Sequence, residues 1–464
     1  MTAFRVEHDA FGPVDIRADR YWGAQTQRAL AIFEVGEERF PACLIHAFGL
    51  HKMAAAQANM RCGVLDPGLG EMIVAAAAEL RSGKFDQHFP LTIWQTGSGT
   101  QTNMNANEVI ANRANECLGQ PLGTKSPVHP NDHVNASQSS NDSFPTVMHM
   151  TAALELKDRL IPALVLLRDS LRERADAFAD VLKIARTHLM DAVPMTMGMA
   201  FEGFTAQLDN ALERLHGTMP RLLVLPQGGT AAGTGLNAPP GFAAAFCEEA
   251  SQLSGLAFRP NPCKVEGMAA HDALVELSGV LNVIAVSFTK IANDLRWLGS
   301  GPNCGLGELL IPEDGLTSSI MPGKRNPTVA EVVVQAAMQV CGNHMTVTMA
   351  GASGSFELNV AKPVLIYNVL QSIRVLADSA RMFAQRLVRG LAPNREKLAR
   401  NLENPLLAVT ALNSVLGYDR AAQITNTAVS RGIAPRAAAL ELGLLSGEEF
   451  DRLVDPMRMA KGNP

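Results

Sequence analysis

The stretch Thr317-Ser-Ser-Ile-Met-Pro-Gly-Lys-Arg-Asn-Pro327 gathers hydroxyls, a lysine and a carboxamide into one loop punctuated by Gly and Pro. Such a loop can carry Ser318 or Ser319 over a bound small molecule while Lys324 and Asn326 hold an anionic group. The apolar run that follows reads as a helix, with Pro327 suited to its first turn. The positive end of that helix then adds backbone N–H groups to the lysine and amide, which suits an anion. Glu331 falls one turn later, where it can orient a histidine or simply complement the helix dipole.

Three other polar segments interrupt a chain rich in Ala, Leu and Val. In Thr96-Gly-Ser-Gly-Thr-Gln-Thr-Asn-Met-Asn-Ala-Asn107, the glycines beside Ser98, Gly99 included, let the backbone approach a ligand, and Ser98, Thr100 and Asn103 bring short donors. The same residues also suit a loop capping the next helix. In the segment from His129 to Asp142, His129 and His133 have the spacing of a helical metal pair, but Pro130-Asn131 argues against a helix across them. Ser139, Ser140 and Asn141 offer uncharged donors together, a cradle for a carboxylate. In Arg186-Thr-His-Leu-Met-Asp191, His188 supplies an imidazole, the side-chain type suited to shuttling protons near neutral pH. The run Gly228–Gly235 lacks a Walker ending and is no G-x-G-x-x-G match, so it does not read as a nucleotide loop. No G-x-S-x-G elbow occurs.

Apolar periodicity supplies the scaffold. Leu274, Leu277, Leu281, Ile284, Phe288, Ile291 and Leu295 recur at alternating gaps of three and four. Ile366, Val369, Ile373, Leu376, Ala380, Phe383 and Leu387 repeat the rhythm. Leu160, Leu164, Leu167, Leu171, Ala175 and Phe178 nearly do so, with Pro162 near a helix start or a kink. This rhythm keeps one seam facing a neighbouring helix. A helix over Glu266–Trp297 would be about 48 Å long, so the fold class is mainly α with an elongated central bundle. Shorter helices are expected at Leu44–Arg61 and Met72–Ser82, and in small pieces after Pro393 broken at positions 404–405 and Gly417. The expected domains are 1–138 (mixed, mostly helical), 139–395 (long-helix bundle) and 396–464 (small and helical).

Composition narrows the partners. Charged residues make up 18% of the chain, below the roughly 25% usual for soluble domains. No run of about 18 uninterrupted apolar residues reads as a membrane span, so surface hidden by oligomerisation is the expectation. A net charge of −5 and a pI near 6.1 argue against nucleic acid. The seven cysteines are scattered and form no CxxC, which suits buried, reduced thiols rather than a disulfide framework or a zinc ribbon. The N-terminus has no secretory h-region, and a cytoplasmic location is expected.

The polar segments, in this order, resemble those of the class II, iron-independent fumarase family of the fumarase/aspartase superfamily. The likeness runs from Trp22-Gly-Ala-Gln-Thr-Gln27 through Ile93-Trp-Gln-Thr-Gly-Ser-Gly-Thr100 and Gln138-Ser-Ser-Asn-Asp142 to Phe356-Glu-Leu-Asn-Val360 and Ala408-Val-Thr-Ala-Leu-Asn413. The resemblance implies a three-domain, mostly helical homotetramer whose active sites each draw on three chains, with no metal or organic cofactor. The implied reaction is reversible hydration of fumarate to L-malate. The alternatives are hydration of a 2-substituted fumarate such as mesaconate, or aspartate ammonia-lyase activity. It further implies Ser318 as the base at C3, and His188 with Glu331 as the handlers of water. Ser98, Gly99, Thr100, Ser139, Ser140, Asn141, Thr187, Ser319, Lys324 and Asn326 would bind substrate, and His129, Asn131 and Asp132 would form a secondary anion site. Against the family pattern, Thr317 replaces glycine and Arg325 commonly valine. Met190 and Met199 stand where glutamine is common, and Ser126-Pro127 where basic residues are.

Overall fold

The apolar rhythms become helices of a computed structural model, which describes residues 3–403 and 405–462. The break expected at 404–405 therefore falls partly outside the described residues. The chain forms two compact units. The first comprises the chain up to Pro162, Glu213–Ala285 and Met338–Ala377; the second comprises Ala163–Leu212, Val286–Ala337 and the chain from Asp378 onward.

The N-terminal region opens with an antiparallel hairpin of β1 (Phe4–Asp9) and β2 (Gly12–Arg17), in register from Phe4↔Arg17 to Asp9↔Gly12. The helices α1 (Ala24–Ile32), α2 (Ala42–Arg61), α3 (Pro67–Arg81), α4 (Thr100–Cys117) and α5 (Ser140–Glu155) follow. Helix α5 runs through a widened turn, Leu156–Leu160, into α6 (Ile161–Ala177). Pro162 is thereby accommodated, because the widened turn lies where an ordinary helix would need its missing N–H.

A second hairpin, β3 (Leu182–Thr187) and β4 (Met190–Thr196), leads into α7 (Met197–Leu222). The helices α8 (Phe242–Ser254), α9 (Lys264–Ala269), α10 (Asp272–Leu298), α11 (Thr328–Gly351) and α12 (Lys362–Met382) complete the long-helix region. All fourteen seam residues from Leu274 to Leu295 and from Ile366 to Leu387 are buried. Fully burying a Leu or Ile contributes about 1.5–3 kcal/mol, so each seam residue is a substantial stabilising contact. Helix α10 is long and apolar enough to cross a membrane by length and composition, yet its seam faces the interior of the protein.

Two expectations are corrected. The single helix over Glu266–Trp297 is split between α9 and α10, because His271 adopts a left-handed conformation with φ of 86°. There the Met268 carbonyl accepts from the Asn359 N–H at 3.2 Å, so a passing segment takes a helical acceptor. Nor are the cysteines mostly buried. Only Cys247 is fully so, while Cys117, Cys263, Cys304 and Cys341 are exposed and all seven are free.

The C-terminal pieces are α13 (Arg395–Leu402), a tight turn at Leu406–Leu412, α14 (Asn413–Leu416), α15 (Tyr418–Arg431), α16 (Pro435–Glu441) and α17 (Gly447–Leu453). Val409, Leu412, Ala421, Ile424, Ala428, Ala438, Ala439 and Phe450 bury one another as a small core of their own.

Candidate active site

In the first unit the donors stand at the heads of two helices. Ser139 caps α5: its Oγ accepts from the Asn141 N–H, while Asp142 Oδ1 accepts from the Ser139 N–H at 2.9 Å. This reciprocal box satisfies groups that a helix start leaves unpaired. Thr100 begins α4 after Gly99, whose φ of 76° is left-handed. A Cβ at Gly99 would lie 2.2 Å from the Phe144 ring, so only glycine serves there. Ser98 Oγ and Thr100 Oγ1 share a hydrogen bond of 2.7 Å. Asn103, one turn into α4, donates from Nδ2 to Ser140 Oγ at 3.0 Å and joins the two helix heads. The sequence-derived residues Ser98, Gly99, Thr100, Ser139, Ser140 and Asn141 thus gather with Asn103 around two positive helix ends, an arrangement suited to carboxylates. Asn141 also donates to the Ala231 carbonyl at 2.9 Å.

Beneath the cradle lies a network that the sequence did not single out. Asp142 is fully buried, and its Oδ2 accepts from Gln227 Nε2 at 3.1 Å and from the Gly228 and Thr230 N–H groups at 2.9 Å. The glycine-rich segment dismissed as a phosphate loop therefore binds the chain's own carboxylate. Burial pushes Asp142 up to about 6, against the lowering pull of its N–H partners and Lys52. Lys52 is also fully buried; its ammonium donates to Gln138 Oε1 at 2.8 Å and Asn135 Oδ1 at 3.2 Å. Burial pulls its pKa down to about 7, with Asp142 opposing. The signal available in the sequence was a His51-Lys52 pair flanked by the apolar runs Ala47–Leu50 and Met53–Ala56.

At the secondary anion residues, Pro130–Val134 forms a single widened helical turn starting at the proline. The expectation of no helix there is corrected, since Pro130 occupies a first-turn position where no N–H is needed. His129 Nδ1 accepts from the Asn131 and Asp132 N–H groups at 3.2 and 3.1 Å, and lies 3.2 Å from Asp132 Oδ2. Burial lowers the His129 pKa, favouring the neutral ring that accepts those N–H groups over an ion pair. His133 Nδ1 is occupied by the His129 N–H at 2.9 Å.

In the second unit, β3 and β4 are joined by His188 and Leu189, both at positive φ (57° and 62°). That conformation matches a tight hairpin turn and holds Thr187 and His188 at an exposed tip. The hairpin is anchored close to its tip. Arg186 makes a bidentate pair with the fully buried Glu308, at 2.5 and 3.0 Å, and Asn401 donates to the same carboxylate at 2.9 Å. Arg186 is thus a support for the hairpin, and Glu308 went unnoticed in the sequence.

The loop rich in hydroxyls lies in the same unit. Ser319 and Lys324 are exposed and Ser318 is half-buried. Ser318 Oγ accepts from the Met321 N–H at 3.2 Å and from the Ile320 N–H at 3.5 Å. Helix α11 starts at Thr328, with the Pro327 carbonyl accepting from the Glu331 N–H at 3.1 Å. Pro327 therefore caps the helix one residue before its first turn, and Asn326 and Glu331 flank that start. Among the described residues no hydrogen bond or ion pair joins His188 to Glu331 within one chain. The arrangement offers a preorganised anion cradle in one unit, and a serine, a lysine and a histidine on exposed segments in the other.

A family model described as Lyase matches residues 12–342, and one described as Fumarase C C-terminus matches residues 409–461. A fumarate hydratase class II from Brucella suis biovar 1 is 54% identical over 99% of both chains. A mitochondrial fumarate hydratase from Rhizopus oryzae is 53% identical over 99% of this chain and 93% of its own length. The crystal structure of recombinant class II fumarase from Schistosoma mansoni superposes with a TM-score of 0.97 at 41% identity, covering 100% of each chain.

Proposed function

The chain belongs to the class II fumarate hydratase family, and on that premise we propose how it adds water reversibly to fumarate to give L-malate. The end-to-end identity of 54% carries the reaction; the roles of individual residues are those the family resemblance implies, placed on this chain's positions. Dehydration requires loss of a proton from malate C3, a very weak carbon acid, and charge then moves onto the adjacent carboxylate as an aci-carboxylate. Preorganised donors suit that charge, and a single one can be worth about 10²–10³-fold. The cradle of Thr100, Ser139, Ser140 and Asn141, with Ser98 and Gly99 shaping it, holds substrate carboxylate.

Ser318 takes the C3 proton. The two N–H groups aimed at its Oγ stabilise negative charge there, as does the positive end of α11 with Lys324 and Asn326. His188, oriented by Glu331, gives a proton to the leaving hydroxyl, a contribution of about 10²–10⁴-fold for such general acids. Thr187 and Ser319 complete the contacts, and His129, Asn131 and Asp132 hold a second anion.

His188 and Glu331 being unpaired within one chain supports sites shared between copies. The exposed stripe of Met338, Cys341, Met345 and Met349 on α11 supports a homotetramer. Three domains at 1–138, 139–395 and 396–464 remain the proposed division, supported at the C-terminus by its own small core. A cytoplasmic location is proposed, testable by cell fractionation. The activity test is the fall of fumarate ultraviolet absorbance with purified protein and a chelator. Loss with L-malate as product is expected. No loss from a folded oligomer overturns the reading, and dependence on ammonia would reassign it to an ammonia-lyase.

A further inference from the structure

The segment Phe356-Glu-Leu-Asn-Val360 takes no part in the cradle or in the loop that carries Ser318, yet it backs directly onto the turn bearing Ser98 and Thr100. The contact is between backbones. A Cβ added to Gly97 would lie 1.4 Å from the Val360 carbonyl oxygen, and the Gly97 carbonyl accepts from the Lys362 N–H at 3.0 Å. Close approach therefore demands glycine at 97. On the other side of Ser98, a Cβ at Gly99 would meet the Phe144 ring. Ser98, itself 5% exposed, is thus held between two glycines, one against α5 and one against the 359–362 segment.

Asn359 makes that second wall rigid. It is fully buried, and each of its polar atoms is engaged. Its N–H donates to the Met268 carbonyl at 3.2 Å, and its carbonyl accepts from the Lys362 ammonium. Its Nδ2 donates to the Ala350 and Gly351 carbonyls at 2.9 and 3.3 Å, acceptors that the end of α11 leaves without helical partners. Its Oδ1 accepts from the Ala361 N–H at 2.8 Å. One side chain therefore joins the end of α11 to the residue before α12, and so to the N–H that meets Gly97. Among the described residues, the Lys362–Gly97 bond is the one backbone bond from positions 96–98 to a distant part of the chain. We propose that Asn359 is a positioning residue for the cradle: through Ala361 and Lys362 it seats the Gly97–Thr100 turn where Ser98 and Thr100 meet a substrate carboxylate. This role rests on the fumarate reading of the cradle, while the seating of the turn can be measured without it.

A double-mutant cycle on the full-length protein tests it, with Asn359→Ala and Thr100→Ala combined. Asn359→Ala should raise the KM for fumarate about tenfold, the order of one misplaced bond to a charged group, with kcat within about threefold. Amide hydrogen exchange should quicken in peptides covering 96–103 and stay native at 139–143. In the Thr100→Ala background the same substitution should change KM by less than about twofold, because Asn359 acts through that turn. The melting temperature should fall alike in both backgrounds, so the KM difference separates positioning from stability. Native KM in the folded variant overturns the proposal, as does unchanged exchange at 96–103 or an equal KM increase in both backgrounds. If Asn359→Ala fails to fold, Asn359→Ser replaces it with the same criteria, since serine still offers an acceptor near the Ala361 N–H but loses both bonds to α11. Turnover by the native protein is measured first. If it does not hydrate fumarate, the family reading fails alone, and exchange at 96–103 then decides whether Asn359 seats the turn.

Discussion

The cradle at the heads of α4 and α5 and the strap between Gly315 and Gly323 both present hydroxyls but are held in opposite ways. Under the cradle, Asp142 and Lys52 are fully buried and each is bonded to several fixed partners. The strap has two glycines with φ of 79°, neither with any neighbour near its missing side chain. It is tied at its neck, by Arg325 to Glu313 at 2.6 Å and by Thr328 to Asp314. The difference suits the two tasks proposed for them. Donors that receive developing charge work best when they need no reorganisation. A base that must meet and leave a carbon atom works from a segment that can move.

Ser318→Ala is the largest test of that division. Removing the proposed base should lower kcat by about 10²–10⁴-fold, while the melting temperature barely changes. Among the described residues the hydroxyl bonds to nearby loop N–H groups alone, and such surface changes are worth within about 0.5 kcal/mol. Assay and thermal melt on one preparation decide it; a large loss of stability would mean that the strap is part of the framework.

The framework itself is probed at Asp142. Asp142→Asn sets an amide NH₂ among the N–H groups of Ser139, Gly228 and Thr230. The expected loss is about 3 kcal/mol, the scale of a buried polar group left unsatisfied, read from denaturation midpoints. The gap should depend on pH with a defined sign. The folded Asp142 pKa, about 6, lies above its ordinary 3.8, so the native fold holds this proton more tightly than the unfolded chain. Its contribution is fully present below about pH 4 and is lost as pH rises toward 6. Asn cannot ionise, so the native advantage should shrink over that window. Lys52 is displaced downward, from 10.5 to about 7. Its contribution has the opposite slope, with native stability gaining as pH rises above 7. A gap that widens from pH 4 to 6 would contradict the assignment of Asp142.

The contrast also explains what was legible in the sequence. The seams were, because burial forces a three-and-four rhythm that a single helix displays on its own. The surface-facing donors Thr100, Ser139 and Asn141 were, because their motifs are local. Lys52, Asp142 and Glu308 were not assigned roles, because each acts through partners far along the chain. Asp142 meets Gly228 eighty-six residues away, and Arg186 meets Glu308 at a separation of 122. The split at His271 was hidden for the same reason: no Gly or Pro marks it, and the acceptor it frees is taken by Asn359. The proposed pairing of His188 with Glu331 would join two copies of the chain, so one sequence on its own gives no sign of it.

The smallest expected effect sits at the neck of the strap. Arg325 and Glu313 are 70% and 67% exposed, and an ion pair so open to solvent is worth about 0–1 kcal/mol and is screened by salt. Arg325→Val should therefore leave the melting temperature within error and change kcat by less than about threefold. Any change should fade between low and high ionic strength, and Glu313→Gln should reproduce it because either substitution removes the same pair. Thr328 and Asp314 still close the neck in both variants, so the strap keeps its shape while losing one charge contact. Steady-state kinetics at two salt concentrations measures this directly. A change in kcat of tenfold or more, insensitive to salt, would place Arg325 among the groups that act on substrate and would move the boundary between strap and cradle.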